Sequence, residues 1–189
     1  ADQYQPRQGD ALLWANDMNN SVTIVGHVEY LGVLDDLHTL AVQARSVPGE
    51  QEIWVVQLNE GATEVRNRIT NPAVSGDYGH LLAAIGDITG DGLSEFATYA
   101  GRTVFYVIDG AQPPGSTVSG ADAAVWSIDP SPWPRSAAQR PGFNEFLLGD
   151  LDSGSTQRLS SVDGTVLHTL SDAAGGVQWI GDMNSDGVE

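Results

Sequence analysis

The chain has 189 residues, 25 of them acidic and 8 basic, and its formal net charge of -17 at pH 7 would repel a polyanion such as nucleic acid. The hydrophobic fraction of 41% is enough for a buried core and argues against a disordered chain. No apolar run approaches the ~20 residues that a membrane-spanning helix needs, so we expect no transmembrane segment.

Strand-like segments follow one another along the chain, and no stretch predicts a convincing amphipathic helix. Each segment is a short run rich in β-branched and aromatic residues, and it ends at a turn that contains Gly, Pro or Asp. The 22 Gly and 9 Pro residues mark nearly every junction. The clearest predicted strands are 37–43, 52–58, 81–85, 96–99, 103–108 and 124–128.

Four stretches of the sequence resemble one another. Each is an apolar strand that ends in Gly and leads into an acidic turn, and the four glycines are Gly32, Gly86, Gly149 and Gly181. Units of about four strands at this spacing are typical of propeller blades, so the sequence predicts an all-β fold: a β-propeller, or part of one, built from four-stranded antiparallel blades. The predicted divisions are an N-terminal strand region 1–26, blades 27–75 and 76–140, a short or incomplete blade 141–174, and the start of another blade 175–189.

The third unit and the end of the chain are both shorter than the repeat predicts. Near Ser153 the third unit lacks a counterpart of 96–103, because a strand has been lost or because residues are absent from the chain. The sequence stops at Glu189, and three units with the start of a fourth cannot close a ring of roughly 4–8 blades. We therefore expect a fragment, an incomplete chain or completion by other chains.

An acidic loop between the predicted strands 81–85 and 96–99 carries the strongest functional signal. Asp87, Thr89 and Asp91 alternate, a glycine follows, and Glu95 stands at the ninth position. Several oxygen atoms can converge in such a loop, which is the ligand set that Ca2+ prefers. An EF-hand would need flanking helices and Glu at the twelfth position, which is Thr98 here. We predict a strand–loop–strand calcium site, the alternative being a polar hairpin turn.

The other acidic turns match this pattern to different degrees. Asp182, Asn184 and Asp186 repeat it and predict a second calcium site. Asp150 and Asp152 lack the third carboxylate and are interpreted as a bare acidic turn. The turn after Gly32 is shorter still, and we assign it no ion.

Residues 78–92 combine an aromatic-Gly pair, a Gly-Asp pair before the loop and Gly-Asp-Gly within it, at Tyr78-Gly79, Gly86-Asp87 and Gly90-Asp91-Gly92. This stretch resembles an FG-GAP repeat of the integrin α-chain type of propeller. The resemblance implies a Ca2+ loop between the first two strands of a blade. The ligands that it implies are the side chains of Asp87, Thr89, Asp91 and Glu95 with the carbonyl of Leu93, and in the second loop Asp182, Asn184 and Asp186 with the carbonyl of Val188. The family usually has Asp or Asn at the Thr89 position and Asp at the Glu95 position, and we expect these departures to weaken binding.

No enzyme motif stands out, because the chain has neither Lys nor Cys and no G-x-S-x-G sequence. We therefore predict a non-enzymatic calcium-binding module, extracellular or at the cell surface and alternatively periplasmic, for adhesion, assembly or ligand binding. Its expected partners are protein or glycan ligands, with loops 111–123 and 129–143 as the variable surface. Trp133 lies between prolines and is a candidate ligand contact, unless it folds back over the blade edge.

Two other functions stay open at this point. The chain could be an accessory or catalytic propeller domain of a secreted polysaccharide-acting enzyme, because its many carboxylates could form a glycosidase pair. It could also be a structural subunit of an extracellular polymer that self-assembles through open blade edges.

Overall fold

The computed structural model describes residues 22–46, 50–59, 62–73, 78–101, 104–128, 134–139, 144–150 and 154–171. Within these ranges the chain forms thirteen β-strands and no helix, so no described segment is a helix that could span a bilayer. The strands are β1 Val22–Leu34, β2 Leu37–Ser46, β3 Gln51–Asn59, β4 Ala62–Thr70, β5 Ala83–Gly86, β6 Glu95–Ala100, β7 Val104–Ile108, β8 Thr117–Ser119, β9 Ala124–Ile128, β10 Pro134–Gln139, β11 Glu145–Asp150, β12 Ser155–Ser160 and β13 Val166–Ser171.

These strands form three sheets. The first has the order β1-β2-β3-β4-β8, the second β5-β6-β7-β9 and the third β10-β11-β12-β13. Neighbouring strands are antiparallel throughout, except that β8 lies parallel to β4. The all-β class and the four-stranded antiparallel sheets that the sequence predicts are therefore confirmed.

Five strands have no counterpart among the strands named from the sequence: β4, β8, β10, β12 and β13. Because β10 pairs with β11, the third sheet has four strands and its acidic turn follows the second of them. In the first two sheets the corresponding turns follow the first strand, β1 or β5. The third sheet thus has an additional strand, β10, before the strand that leads into its acidic turn. The boundaries of the repeat units stay predictions.

The turn between β1 and β2 contains only Asp35 and Asp36, with φ angles of 54° and 62°. Two consecutive positive φ angles are typical of the tight hairpin turn that matches the twist of antiparallel strands, and Asp tolerates this region better than bulky residues do. Arg66 on β4 approaches the Asp35 carboxylate at 3.4 Å. A two-residue turn is too short to surround a cation.

An apolar layer joins the first sheet to the second. Leu31 of β1, Ile53 of β3 and Phe96 of β6 are at most 2% exposed and belong to one cluster. Two hydrogen bonds also cross this layer, which we call the seam. Ser94 N donates to the Leu31 carbonyl at 2.9 Å, and Gln43 Nε2 donates to the Tyr78 carbonyl at 2.8 Å.

Aromatic rings dominate the layer between the second and third sheets. The Phe105 and Phe146 rings stack with centroids 5.9 Å apart, and Trp126 stacks on Phe146 at 6.0 Å. The Trp126 indole N–H also donates to the Ser161 carbonyl at 2.8 Å, which ties β9 to the turn between β12 and β13. Such ring pairs add to the free energy of simple apolar burial.

The first strands of the three sheets lie side by side. β5 contacts β1 on one side and β10 on the other. Ala84 N on β5 donates to Oε1 of Glu29 on β1 at 3.0 Å, and the Gln139 side chain on β10 packs directly over Gly86. The acidic loop therefore begins where all three sheets meet.

The segment between β7 and β9 crosses from the second sheet to the first, and we call residues 109–123 the strap. Its strand β8 pairs with the end of β4: Arg68 N donates to the Ser116 carbonyl at 3.0 Å, and Gly120 N donates to that of Thr70 at 2.9 Å. Part of loop 111–123 is thus hydrogen-bonded to the first sheet through its backbone. Its role as a variable surface stays a prediction. Within loop 129–143, residues 134–139 form β10, and the rest lies outside the described residues.

Gly164→Ala should destabilise the fold more than Gly115→Ala. Both glycines have positive φ angles, 73° and 76°, so Ala at either site costs about 1–2 kcal/mol of backbone strain. A Cβ at Gly164 would also lie 2.8 Å from Cζ3 of Trp126, whereas at Gly115 nothing lies within 4 Å. Urea unfolding should show a further loss of about 1–3 kcal/mol for Gly164→Ala, and equal losses would contradict the packing described here.

Thr98→Val should raise the free energy of unfolding by about 1 kcal/mol. Thr98 is fully buried between the first two sheets, and its hydroxyl has no hydrogen-bond partner among the described residues. Replacing a buried unpartnered hydroxyl with a methyl group of similar size is favourable. Thr39→Val is the matched control, because the buried Thr39 hydroxyl donates to the Leu37 carbonyl at 3.3 Å and its removal should lower stability. A loss in both variants would refute the prediction.

Candidate metal centre

The acidic loop joins β5 to β6 and gathers three carboxylates. Asp87 directly follows β5, Asp91 lies in the middle of the loop, and Glu95 is the first residue of β6. One oxygen from each carboxylate lies within 4.8 Å of the others. The two aspartates are exposed, whereas Glu95 is only 1% exposed. The arrangement is a shallow site with one dehydrated carboxylate at its base.

The Asp87 carboxylate organises the loop through backbone amides. Its Oδ1 accepts hydrogen bonds from Gly90 N at 2.7 Å and Asp91 N at 3.1 Å, and its Oδ2 accepts one from Gly92 N at 2.9 Å. Asp91 Oδ1 in turn accepts a hydrogen bond from Leu93 N at 2.8 Å. Short Asp side chains favour such local bonds, which explains why this sequence curls instead of extending.

Glu95 is held by donors from the same loop. Its Oε2 accepts a hydrogen bond from Ile88 N at 2.6 Å, and its Oε1 accepts one from the Thr89 hydroxyl at 2.7 Å. Burial raises the pKa of Glu95 because the charged form loses hydration; the Ile88 and Thr89 hydrogen bonds oppose this rise, and the charge of Asp91 adds to it. The loop donors thus compensate in part for a dehydrated negative charge.

The structure brings together the three carboxylates that the sequence singles out. The other two predicted ligands in this loop, Thr89 and Leu93, make other contacts. Thr89 donates its hydroxyl hydrogen to Glu95. Leu93 points its side chain into the layer between the first two sheets, where it is 1% exposed, and no described contact assigns a role to its carbonyl. The ligand roles of Asp87, Thr89, Asp91, Leu93 and Glu95 stay predictions.

The other candidate residues lie outside the part of the chain that the structure describes. These are the second predicted site and the predicted ligand contact: Asp182, Asn184, Asp186, Val188 and Trp133.

A fourth carboxylate near the loop escaped the sequence reasoning. The pairing of Phe96 with Ile108 places Asp109, the residue after β7, next to the start of β6. Burial raises the pKa of Asp109 and the charge of Asp91 adds to the rise, although a hydrogen bond from Ala111 N at 2.7 Å opposes it. In the sequence Asp109 is simply the first residue of an Asp-Gly turn, and only the register of β6 and β7 shows its position.

No family model matches the sequence, and no curated protein matches it. Among solved structures, the chain is similar to the crystal structure of BamB from Moraxella catarrhalis, with 16% sequence identity and a TM-score of 0.41. The match covers 75% of this chain and 36% of the BamB chain, so this chain spans about a third of that protein. At this level of similarity, nothing about BamB transfers to this chain.

Glu95→Gln should change how stability depends on pH in chelator-treated buffer. A pKa raised above 4.5 means that the folded protein holds the proton of Glu95 more tightly than the unfolded chain does. The contribution of this group is therefore greatest below pH 4.5 and is lost as the pH rises through the folded-state pKa. Gln cannot ionise, so the variant should gain stability relative to the wild type as the pH rises above 4.5.

Urea unfolding at several pH values measures this difference. Gln at position 95 can still accept the Ile88 N–H with its amide oxygen, so the local fold should persist. Glu64→Gln changes an exposed carboxylate on β4 and is the matched control. Parallel pH profiles for the wild type and Glu95→Gln would refute the argument.

Proposed function

We propose that this chain is a calcium-binding module of the β-propeller type, in which Ca2+ stabilises the acidic loop and has no catalytic role. The observation that supports the proposal best is the convergence of the Asp87, Asp91 and Glu95 carboxylates within 4.8 Å at a strand–loop–strand junction. Among the described residues, neither Arg nor His forms an ion pair with any of the three. A cation is the group that would offset the repulsion between these charges.

The chemistry of the loop favours calcium over softer or smaller ions. The available ligands are carboxylate, hydroxyl and carbonyl oxygens, and no sulfur ligand exists because the chain has no Cys. Exposed Asp87 and Asp91 leave room for water molecules to complete the six to eight ligands that Ca2+ takes. A loop of this kind adapts more readily to calcium than to the strict octahedral geometry of Mg2+.

The blade interpretation is supported by the way the sheets stack. Three sheets of four main strands pack face to face through two apolar layers, and their first strands β1, β5 and β10 are neighbours. Inner strands arranged in this order are what a propeller requires around its axis. We infer that each sheet is one blade of the FG-GAP type and that the acidic loop belongs to the second blade.

The biological role that fits these properties is binding or assembly outside the cytoplasm. Extracellular modules bind Ca2+ with dissociation constants of about 10⁻⁴–10⁻³ M, a range suited to a shallow site with a Thr in place of a carboxylate. The acidic surface would keep such a module soluble and away from polyanions. We propose a protein or glycan partner at the cell surface.

A second candidate function is the assembly of a polymer through sheet edges. The edge strand β13 is exposed along its whole length, and Val166, Leu167 and Leu170 are 44–49% exposed. An edge strand without charged residues or Pro is a template for pairing with another chain. Size-exclusion chromatography with and without Ca2+ separates this candidate from a monomeric binding module.

Thermal unfolding in chelator and in millimolar CaCl2 tests the calcium site. At a calcium concentration ten times the dissociation constant, binding should stabilise the wild type by roughly 1.4 kcal/mol and raise the melting temperature by a few degrees. Asp91→Ala should abolish this shift, whereas Asp122→Ala, at an exposed position in the strap, should preserve it. An unchanged melting temperature of the wild type in 10 mM CaCl2 would refute the proposal.

A further inference from the structure

Asn67 on β4 is a buried amide whose polar atoms have no hydrogen-bond partner among the described residues. The residue is 1% exposed, and both Oδ1 and Nδ2 are shielded from solvent. Asn67 is paired with Val55 in the sheet, and both Val55 and Ile69 belong to the apolar cluster between the first two sheets. Because alternate residues of a strand share a face, the Asn67 amide points into this apolar layer.

A second buried polar group lies next to it on the strap. The parallel pairing of Arg68 with Thr117 places Ser116 beside Asn67, and the Ser116 hydroxyl is also buried without a partner. Val118, two residues after Ser116, packs against the same apolar cluster as Ile69. The Asn67 amide and the Ser116 hydroxyl therefore stand on one face at adjacent positions of the β4–β8 pair.

We propose that one ordered water molecule bridges the Asn67 amide and the Ser116 hydroxyl inside the seam. An amide offers donors and an acceptor, and the Ser116 hydroxyl is hydrogen-bonded to neither of its polar atoms, so all three atoms need a further partner. A water molecule donates and accepts at the same time, and internal waters characteristically have two to four polar partners of this kind. The three atoms Oδ1, Nδ2 and Oγ provide that set, at a place where bulk solvent does not reach.

This hydration site would fasten the strap to the first sheet through its side chains. The backbone bond from Arg68 N to the Ser116 carbonyl fixes the spacing of the two strands. The bridging water would then hold the side chains of Asn67 and Ser116 together, so the strap and β4 separate only when the water is released. The site is independent of the acidic loop and of the metal proposed there.

A crystal structure of the wild-type chain at about 1.5 Å resolution tests the proposal directly. The expected result is one water molecule within about 2.7–3.2 Å of Asn67 and of the Ser116 hydroxyl. An Asn67 amide that is bonded only to protein groups, with no water in the seam, would overturn it.

A double-mutant cycle tests the same site in solution. Ser116→Ala alone should lower the melting temperature, because the bridging water loses a partner. Asn67→Leu should expel the water and leave the hydroxyl alone, so adding Ser116→Ala to it should no longer lower the melting temperature. Thr117→Ala, at the exposed neighbouring position, is the control and should change nothing in either background. Additive losses from the two substitutions would contradict a shared water molecule.

Discussion

Burial of the second sheet on both faces is the constraint on which the rest of the structure depends. Phe96 and Ile108 point toward the first sheet, whereas Phe105 and Val107 point toward the third, and none of the four is measurably exposed. Removing apolar surface from water contributes roughly 25 cal/mol per Å². Because β6 and β7 cannot shift without losing contacts on both sides, the residues at their ends hold fixed positions.

The acidic loop takes its geometry from this fixed frame. Gly86 lies under the Gln139 side chain of the third sheet, and Ser94 is bonded to Leu31 of the first, so both ends of the loop are anchored to neighbouring sheets. Between these anchors Glu95 is dehydrated by the core and is held by the Ile88 amide and the Thr89 hydroxyl. A carboxylate in such surroundings is poised to gain from a positive charge, and the proposed role of calcium follows from this.

The sequence was informative where local chemistry dominates. Strand β7 is a continuous apolar run, and β6 is buried over most of its length, because both faces of this sheet are covered. The loop is recognisable because Asp87, Thr89 and Asp91 stand at every second position and a glycine follows. The convergence of these aspartates with Glu95 could be expected from spacing alone.

Other features depend on contacts that no local pattern records. Strand β4 is rich in polar residues and lacks a strand-like apolar pattern. Its Arg68 guanidinium lies 4.9 Å from the centroid of the Trp54 ring, so a charged side chain covers an aromatic one where an apolar residue would be expected. Strand β8 pairs in parallel with β4 of the first sheet, although the strands before and after it in the chain, β7 and β9, belong to the second sheet. The position of Asp109 beside the loop depends on the register of β6 and β7.

Because of the strap, the sheets in the structure do not coincide with the repeat units that the sequence predicts. A repeat boundary at residue 75 assigns β4 to one unit and β8 to the next, although the two strands share a ladder. An isolated piece ending at residue 75 would keep β1 to β4 but would expose the edge that β8 covers. The β4–β8 ladder therefore joins the first two sheets across the predicted repeat boundary, and a fragment cut at that boundary would have an unpaired strand edge at which other chains can pair.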